Sequence, residues 1–318
     1  MNKPTRIVGL DIARSLAIIG MIIVHMASLL WSTKVVLSGL PSSLFAIIAG
    51  ATMMIIGRNY SSTTFLRLIT RGALIILIGL ALLPVGGEIQ VVLVIMGLVM
   101  MLVSWMPALG TWWRVGFFIA ATIAATIKYA PMTLPQIYPL LAWIAYFIDG
   151  MLLYDVYLRG RLQSTSTSET NANTRLSWIV TAVSVVVTAV GMYFRFDPEI
   201  AGWLRFTGHT GVFGEIILSV AVAAIVLHLC LFVGDRFPAV VYPFAAMGTM
   251  SLTIYILHVL TAFYWQQNVV LHSTLSAAGF IVFFLVIASL WKKFVGQGPA
   301  EKLVATAIKA IVPSGKGK

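Results

Sequence analysis

The ionisable residues of the first long apolar stretch, GLDIARSLAIIGMIIVHM, have types and spacings that could do chemistry. Asp11 and Arg14 are three residues apart, so on a helix they meet on one face. His25 lies eleven residues beyond Arg14. At about 100° per residue that separation returns nearly to the same face, with a rise of roughly 16 Å. The result is a polar track: a carboxylate to hold an arginine, an arginine whose planar fork suits phosphate, and a histidine able to exchange a proton. Two blander readings stay open. Asp11 and Arg14 could be anchors at a membrane edge, and His25 could be a hydrogen-bonding residue between helices.

Other polar residues lie in apolar surroundings. The segment GTMSLTIYILHVLTAFYW holds Ser251, Thr253, Tyr255 and His258. This segment is expected to run from inside to outside, as the first does, which puts His258 at a depth comparable to His25. The two histidines then line one cavity or bond to each other. Asp149, in WIAYFIDGMLLYD, is an apolar-flanked carboxylate with no sequence-local partner. Arg67 and Arg71 are one helical turn apart and either contact phosphates or snorkel to the interface. The stretch Arg195 to Glu215, with Asp197, Glu199, Arg205 and His209, is the one charged connection expected on the far side. It is either a recognition segment or a solvated loop. Asp149, Tyr255, His209 and Glu215 form the expected substrate-binding set. His228 and Cys230 read as packing residues. No P-loop, zinc-ligand spacing, GxSxG or haem motif occurs, and no metal is expected.

The elements that must position these residues follow from composition. Of 318 residues 60% are hydrophobic and 10% charged, and the mean hydropathy is +0.98. Soluble domains are about a quarter charged. Soluble enzymes, disordered chains and nucleic-acid binders are therefore excluded, and the chain reads as an all-α integral membrane protein. About ten spans are expected, near 15–32, 40–57, 66–84, 89–106, 112–128, 137–157, 176–194, 212–233, 240–264 and 275–292, with the second and fifth short enough to be broken or re-entrant. The net charge of +11 supports the orientation: all but Lys34, Lys128, Arg195 and Arg205 of the 21 Lys and Arg fall on one side. Short-loop basic residues mark the cytoplasm, so both termini are expected there. The sequence divides into one membrane domain over 1–298, with a flexible cytoplasmic linker about 161–175, and a C-terminal part over 299–318. That last part reads as an amphipathic interfacial helix with a basic tail.

The stretch Arg6-Ile-Val-Gly-Leu-Asp11-Ile-Ala-Arg14, with the AIIGMIIVH run to His25, resembles the opening of the transmembrane acyltransferase superfamily. That group comprises acyltransferase-3, heparan-α-glucosaminide N-acetyltransferase and YeiB-like membrane proteins. LFAIIAGATMMI, YPLLAWIAYFIDGMLL, MGTMSLTIYILH and GPAEKL are similar to later pieces of the YeiB and heparan-type branch. Ser15 stands where the family usually has glycine, and the Arg67/Arg71 spacing differs from its third-helix motif. The resemblance implies acyl transfer across a membrane, from cytoplasmic acetyl-CoA or another acyl-CoA to a hydroxyl or amine of an extracytoplasmic sugar or glycolipid. Arg14, held by Asp11 and helped by Arg67 or Arg71, would bind near the CoA end. His25, with His258 as second candidate, would act as general base or acyl carrier. Membrane lipid and a carbohydrate acceptor are the implied partners, in the inner or plasma membrane. A homo-oligomer is compatible with the chain, and no nucleic acid is expected. The alternative function is a transporter or exporter of a small anionic or amphipathic solute using the same track. A scaffold subunit of an envelope-synthesis complex is a third.

Overall fold

A computed structural model describes residues 6–162, 167–268 and 273–313. Among the described residues there are helices, turns and no strand. In chain order the α-helices are α1 (Val8–Met26), α2 (Trp31–Leu37), α3 (Leu40–Ile56), α4 (Ser62–Leu82), α5 (Leu93–Leu102), α6 (Thr111–Tyr129) and α7 (Leu140–Leu153). A π-helical turn (Tyr154–Leu158) leads to α8 (Arg159–Leu162), then α9 (Thr167–Phe194), α10 (Phe213–Arg236), α11 (Tyr242–Thr249), α12 (Ser251–Asn268), α13 (Thr274–Phe294) and α14 (Pro299–Ile311).

Seven of these segments are long and apolar enough to cross a membrane, and α11 with α12 makes an eighth if the bent pair counts as one span. The multi-pass membrane character read from composition therefore holds, while the count of ten does not carry over directly. Each expected segment has a helical counterpart, but three depart from a simple span. At about 1.5 Å per residue, the ten residues of α5 rise only half of a 30 Å core. They end in turns through Ser104 and Pro107, which apolar composition alone does not reveal. Helix α6 carries Arg114 and Lys128 and is not among the seven. The expected ninth span is broken, with α11 and α12 meeting at 84°. The first helix also begins at Val8, seven residues before its expected start, so Asp11 and Arg14 belong to the helix itself.

Helix α1 is the hub. It packs on α3, α10, α11, α12 and α13 and buries Ala13, Ala17, Ile18, Met21 and Ile22. Small residues permit the closest crossings, as is usual where helices associate without a hydrophobic drive between them. A Cβ on Gly50 of α3 would lie 2.0 Å from the Phe147 carbonyl oxygen, and one on Gly150 of α7 would lie 1.8 Å from that of Ile47. Helices α4, α9 and α13 form the outside, with rows of exposed apolar residues such as Leu77, Val186 and Val282.

The expected linker is shorter than its polar composition implied. Helix α9 already begins at Thr167, and 163–166 lie outside the described residues. Helix α14 forms over the stretch expected to be amphipathic, while the basic tail 314–318 lies outside the described residues.

Candidate active site

The polar track on α1 opens into two cavities. Asp11, buried on α1, accepts from Arg14 Nη1 at 2.7 Å and from Arg6 Nε at 2.6 Å. Arg14 Nη2 donates to Thr52 Oγ1 of α3 at 2.7 Å. The guanidinium is thus fixed between two helices and faces a cavity of about 320 Å³, whose polar lining includes Arg6, Thr52, Arg71 and Glu301. Its other walls are apolar, among them Ile48, Leu93 and Met96. Three arginines beside a largely apolar chamber suit an anionic group with an apolar extension.

Glu301, in the first turn of α14, reaches the start of α12. Its carboxylate accepts from Leu252 N at 2.7 Å, Thr253 N at 3.2 Å and Thr253 Oγ1 at 2.5 Å. The broken span leaves these amides without intrahelical partners, and the carboxylate supplies both partner and counter-charge for the helix dipole. Just before the break the chain runs close to α1. Gly248 packs on α1 so closely that a Cβ there would lie 1.8 Å from the Asp11 carbonyl oxygen.

The second cavity, about 200 Å³, is lined by His25, His209, Tyr138, Tyr255, Gln90 and Ser42 together with apolar residues. His25 and His258 stack with ring centroids 6.2 Å apart and planes at 24°. His258 is fully buried, and its Nδ1 lies 3.0 Å from the Tyr255 carbonyl oxygen. A carbonyl only accepts, so Nδ1 carries the proton and Nε2 is bare. That Nε2 is buried with no hydrogen-bond partner among the described residues. The Tyr255 hydroxyl accepts from Val92 N at 3.0 Å, which leaves its own proton to donate. Tyr138 donates to the Gln90 carbonyl at 2.5 Å. Of the cavity-lining groups, the His25 imidazole can move a proton and the Tyr255 phenol, with a proton to give, can steady a developing negative oxygen, while His258 stacks against His25 from the buried side.

The wall between the cavities is thin. Val92 lines one and Leu93 the other, while on α12 Tyr255 and Leu252 do the same one helical turn apart. Arg14 and His25 stay on one continuous helix, about 16 Å apart along its axis.

Several expectations are refined by this geometry. Arg71 lines the first cavity and Arg67 does not. His209 and Tyr255 line the second, whereas Asp149 and Glu215 line neither. Asp149 is buried in α7 with its Oδ2 unpartnered among the described residues. Glu215 organises a loop. Its two oxygens accept from the backbone N–H groups of His209, Thr210 and Gly211 at 2.8, 2.7 and 2.6 Å. That grip holds His209 at a φ of 66°, a conformation non-glycine residues rarely adopt, and turns its ring to the cavity.

Arg195, read as part of a charged loop, is buried. It donates to the carbonyls of Val35, Phe206 and Ser38 and ties the α2–α3 junction to the loop before α10. Burial pulls its guanidinium below the ordinary value, and nearby Glu215 opposes that shift. Sequence reasoning did not single out Glu301, Tyr138 or Thr52. The available signal was the family-like segments themselves: Glu301 is the acid of GPAEKL in the first turn of an amphipathic helix, Tyr138 opens YPLLAWIAYFIDGMLL and Thr52 lies in LFAIIAGATMMI.

Residues 157–309 match the model of a family described as a protein of unknown function (DUF418). The match is to a YeiB-like membrane protein family. It spans just under half of the chain and takes in His209, Glu215, Tyr255, His258 and Glu301, while Arg14 and His25 precede it. No curated protein matches the chain.

Proposed function

We propose that the protein is a membrane-embedded acyltransferase. In this reading an acyl-CoA, with acetyl-CoA the first choice, places its phosphates at Arg14, Arg71 and Arg6, and its acyl end crosses the thin wall toward His25. The observation that carries the reading is the pairing of one helix with two chambers: α1 presents a fixed arginine to one and a histidine, stacked on a second histidine, to the other.

A hydroxyl or amine of the acceptor, a sugar or glycolipid, enters the second chamber beside His25. The imidazole takes the acceptor's proton as its oxygen or nitrogen attacks the thioester carbonyl. Tyr255 donates to the carbonyl oxygen as it gains charge. The carbon–sulfur bond breaks, and the departing thiolate recovers a proton through the imidazole. His258 orients His25 from behind. The reading includes the finer topology expected from the basic residues: ten membrane-associated segments, both termini in the cytoplasm, and residence in an inner or plasma membrane.

A transporter is the second reading, and one observation favours it. A broken helix whose half-helix N-terminus faces a cavity is a common way to bind a transported solute. The α11–α12 break has that form. Membranes carrying wild type, Arg14→Ala or His25→Ala, supplied with radiolabelled acetyl-CoA and envelope extract, separate the two. Label in glycolipid or polysaccharide with wild type alone supports transfer. No transfer from any acyl-CoA, with no CoA binding, rejects it in favour of transport.

A further inference from the structure

The largest of the cavities described lies away from the candidate active site. It has a volume of about 480 Å³, within the range of small-molecule sites, and sits where the end of α7 meets α9 and α10. A local change of helix borders it. The π-helical turn Tyr154–Leu158 at the end of α7 carries Val156 and Tyr157, which line the cavity beside α9 and α10. Such turns recur at functional sites because they re-aim side chains.

The lining has two characters. The buried Tyr157, the half-buried His228 and the exposed Trp178 form an aromatic cluster running from the inside to the outer face. The Tyr157 hydroxyl and His228 Nδ1 both meet Thr181 Oγ1, at 2.8 and 3.0 Å. At the rim stand Arg161 and Arg236, with Arg161 paired at 2.5 Å to Asp235. The rim is also open to the outer face of the bundle. Trp178 and Phe232 are 59% and 56% exposed, and they continue the apolar surface of α9 and α10 formed by Ile179, Val183 and Leu229. His228, read from the sequence as packing, is part of this wall.

We propose that this groove binds an anionic phospholipid. The phosphodiester sits at Arg161 and Arg236, and an acyl chain lies along Trp178 and Phe232. Three features favour a lipid over a soluble phosphate. The basic rim adjoins an exposed apolar helix face, tryptophan marks the headgroup level of membrane proteins, and basic pockets between transmembrane helices are established headgroup sites. The Arg161–Asp235 pair is a resident counter-ion that a phosphate displaces.

Purified full-length protein tests this by native mass spectrometry and by titration with phosphatidylglycerol, phosphatidylcholine or glycerol 3-phosphate. Wild type is expected to retain phosphatidylglycerol in preference to phosphatidylcholine. Each of Arg161→Gln and Arg236→Gln weakens that binding about fivefold, the effect of one basic residue at an anionic surface. Asp235→Asn, which removes the competing carboxylate, strengthens it, so the test does not depend on loss alone. Trp178→Ala weakens phosphatidylglycerol. Equal binding of phosphatidylcholine, or no change in the arginine variants with unchanged melting, overturns the site. Glycerol 3-phosphate binding as tightly as the lipid, and indifferent to Trp178→Ala, overturns the lipid and leaves a soluble phosphate.

Discussion

Glu301 joins the start of α12 to the arginine-lined cavity, and its removal tests that role quantitatively. In Glu301→Gln the amide oxygen can still accept from both backbone N–H groups, but the charge is lost and an NH2 donor replaces the oxygen that accepts from Thr253 Oγ1. Hydrogen bonds to charged groups are worth about 1.5–3 kcal/mol against about 1 for neutral ones, and the helix-terminus interaction adds about 0.3–1. The local cost is therefore about 1–2 kcal/mol. Glu301→Ala also orphans the N–H groups of Leu252 and Thr253, at about 1–3 kcal/mol each less what entering water returns, for a total of about 2–4. With tenfold per 1.4 kcal/mol, amides in the first turn of α12 should exchange about tenfold faster in the Gln variant and about 30- to 1,000-fold faster in the Ala variant. Hydrogen–deuterium exchange of the peptide covering 250–256, with an α10 peptide as internal control, reads this. Wild-type protection in Glu301→Ala would refute the cap, and with it the role given to α14.

Other expectations follow from particular contacts. His25→Ala should lower acyl transfer about 100- to 10,000-fold, the span of a general base, while His258→Ala should lower it less and leave acyl-CoA binding intact, read by equilibrium binding beside turnover. Asp11→Asn should raise the KM for the donor more than it lowers kcat, because Arg14 keeps Thr52 but loses its carboxylate. Equal changes in both constants would speak against a binding role. Gly150→Val should abolish folded protein in membranes, since even a Cβ meets the Ile47 carbonyl at 1.8 Å, and normal yield would contradict the close α3–α7 crossing. Glu215→Ala should release the backbone of residues 209–211 and speed its amide exchange, with little effect at the Arg14 cavity.

The parts of the site legible in the sequence are those set by helical periodicity. Asp11, Arg14 and His25 share one face of a single helix, and three- and eleven-residue spacings fix that wherever the helix packs. That His25 and His258 lie near one another was legible one level up, from the order of apolar segments, but their stacked arrangement, with only His25 in the cavity lining, is neither of the two expected. What stayed hidden depends on contacts far apart in the chain. Glu301 finds Leu252 and Thr253 across 49 and 48 residues, and Arg195 finds Val35 across 160. Arg195 and Glu215 look like solvated loop charges because composition registers charge and not burial. For a related reason the described residues show seven candidate spans, or eight with the bent pair, where the sequence suggested ten. An apolar run measures what a segment tolerates, and it registers neither the turns that end α5 nor the bend between α11 and α12.

The most direct measurement of the central claim uses sealed vesicles with a fixed protein orientation. Radiolabelled acetyl-CoA is supplied only on the side of the Arg14 cavity, and glycolipid acceptor is exposed only on the side of the His25 cavity. Label on the acceptor, absent with Arg14→Ala and with His25→Ala, is the predicted result. Label retained on the donor side in intact vesicles, with intact CoA binding, would contradict transfer between the two chambers.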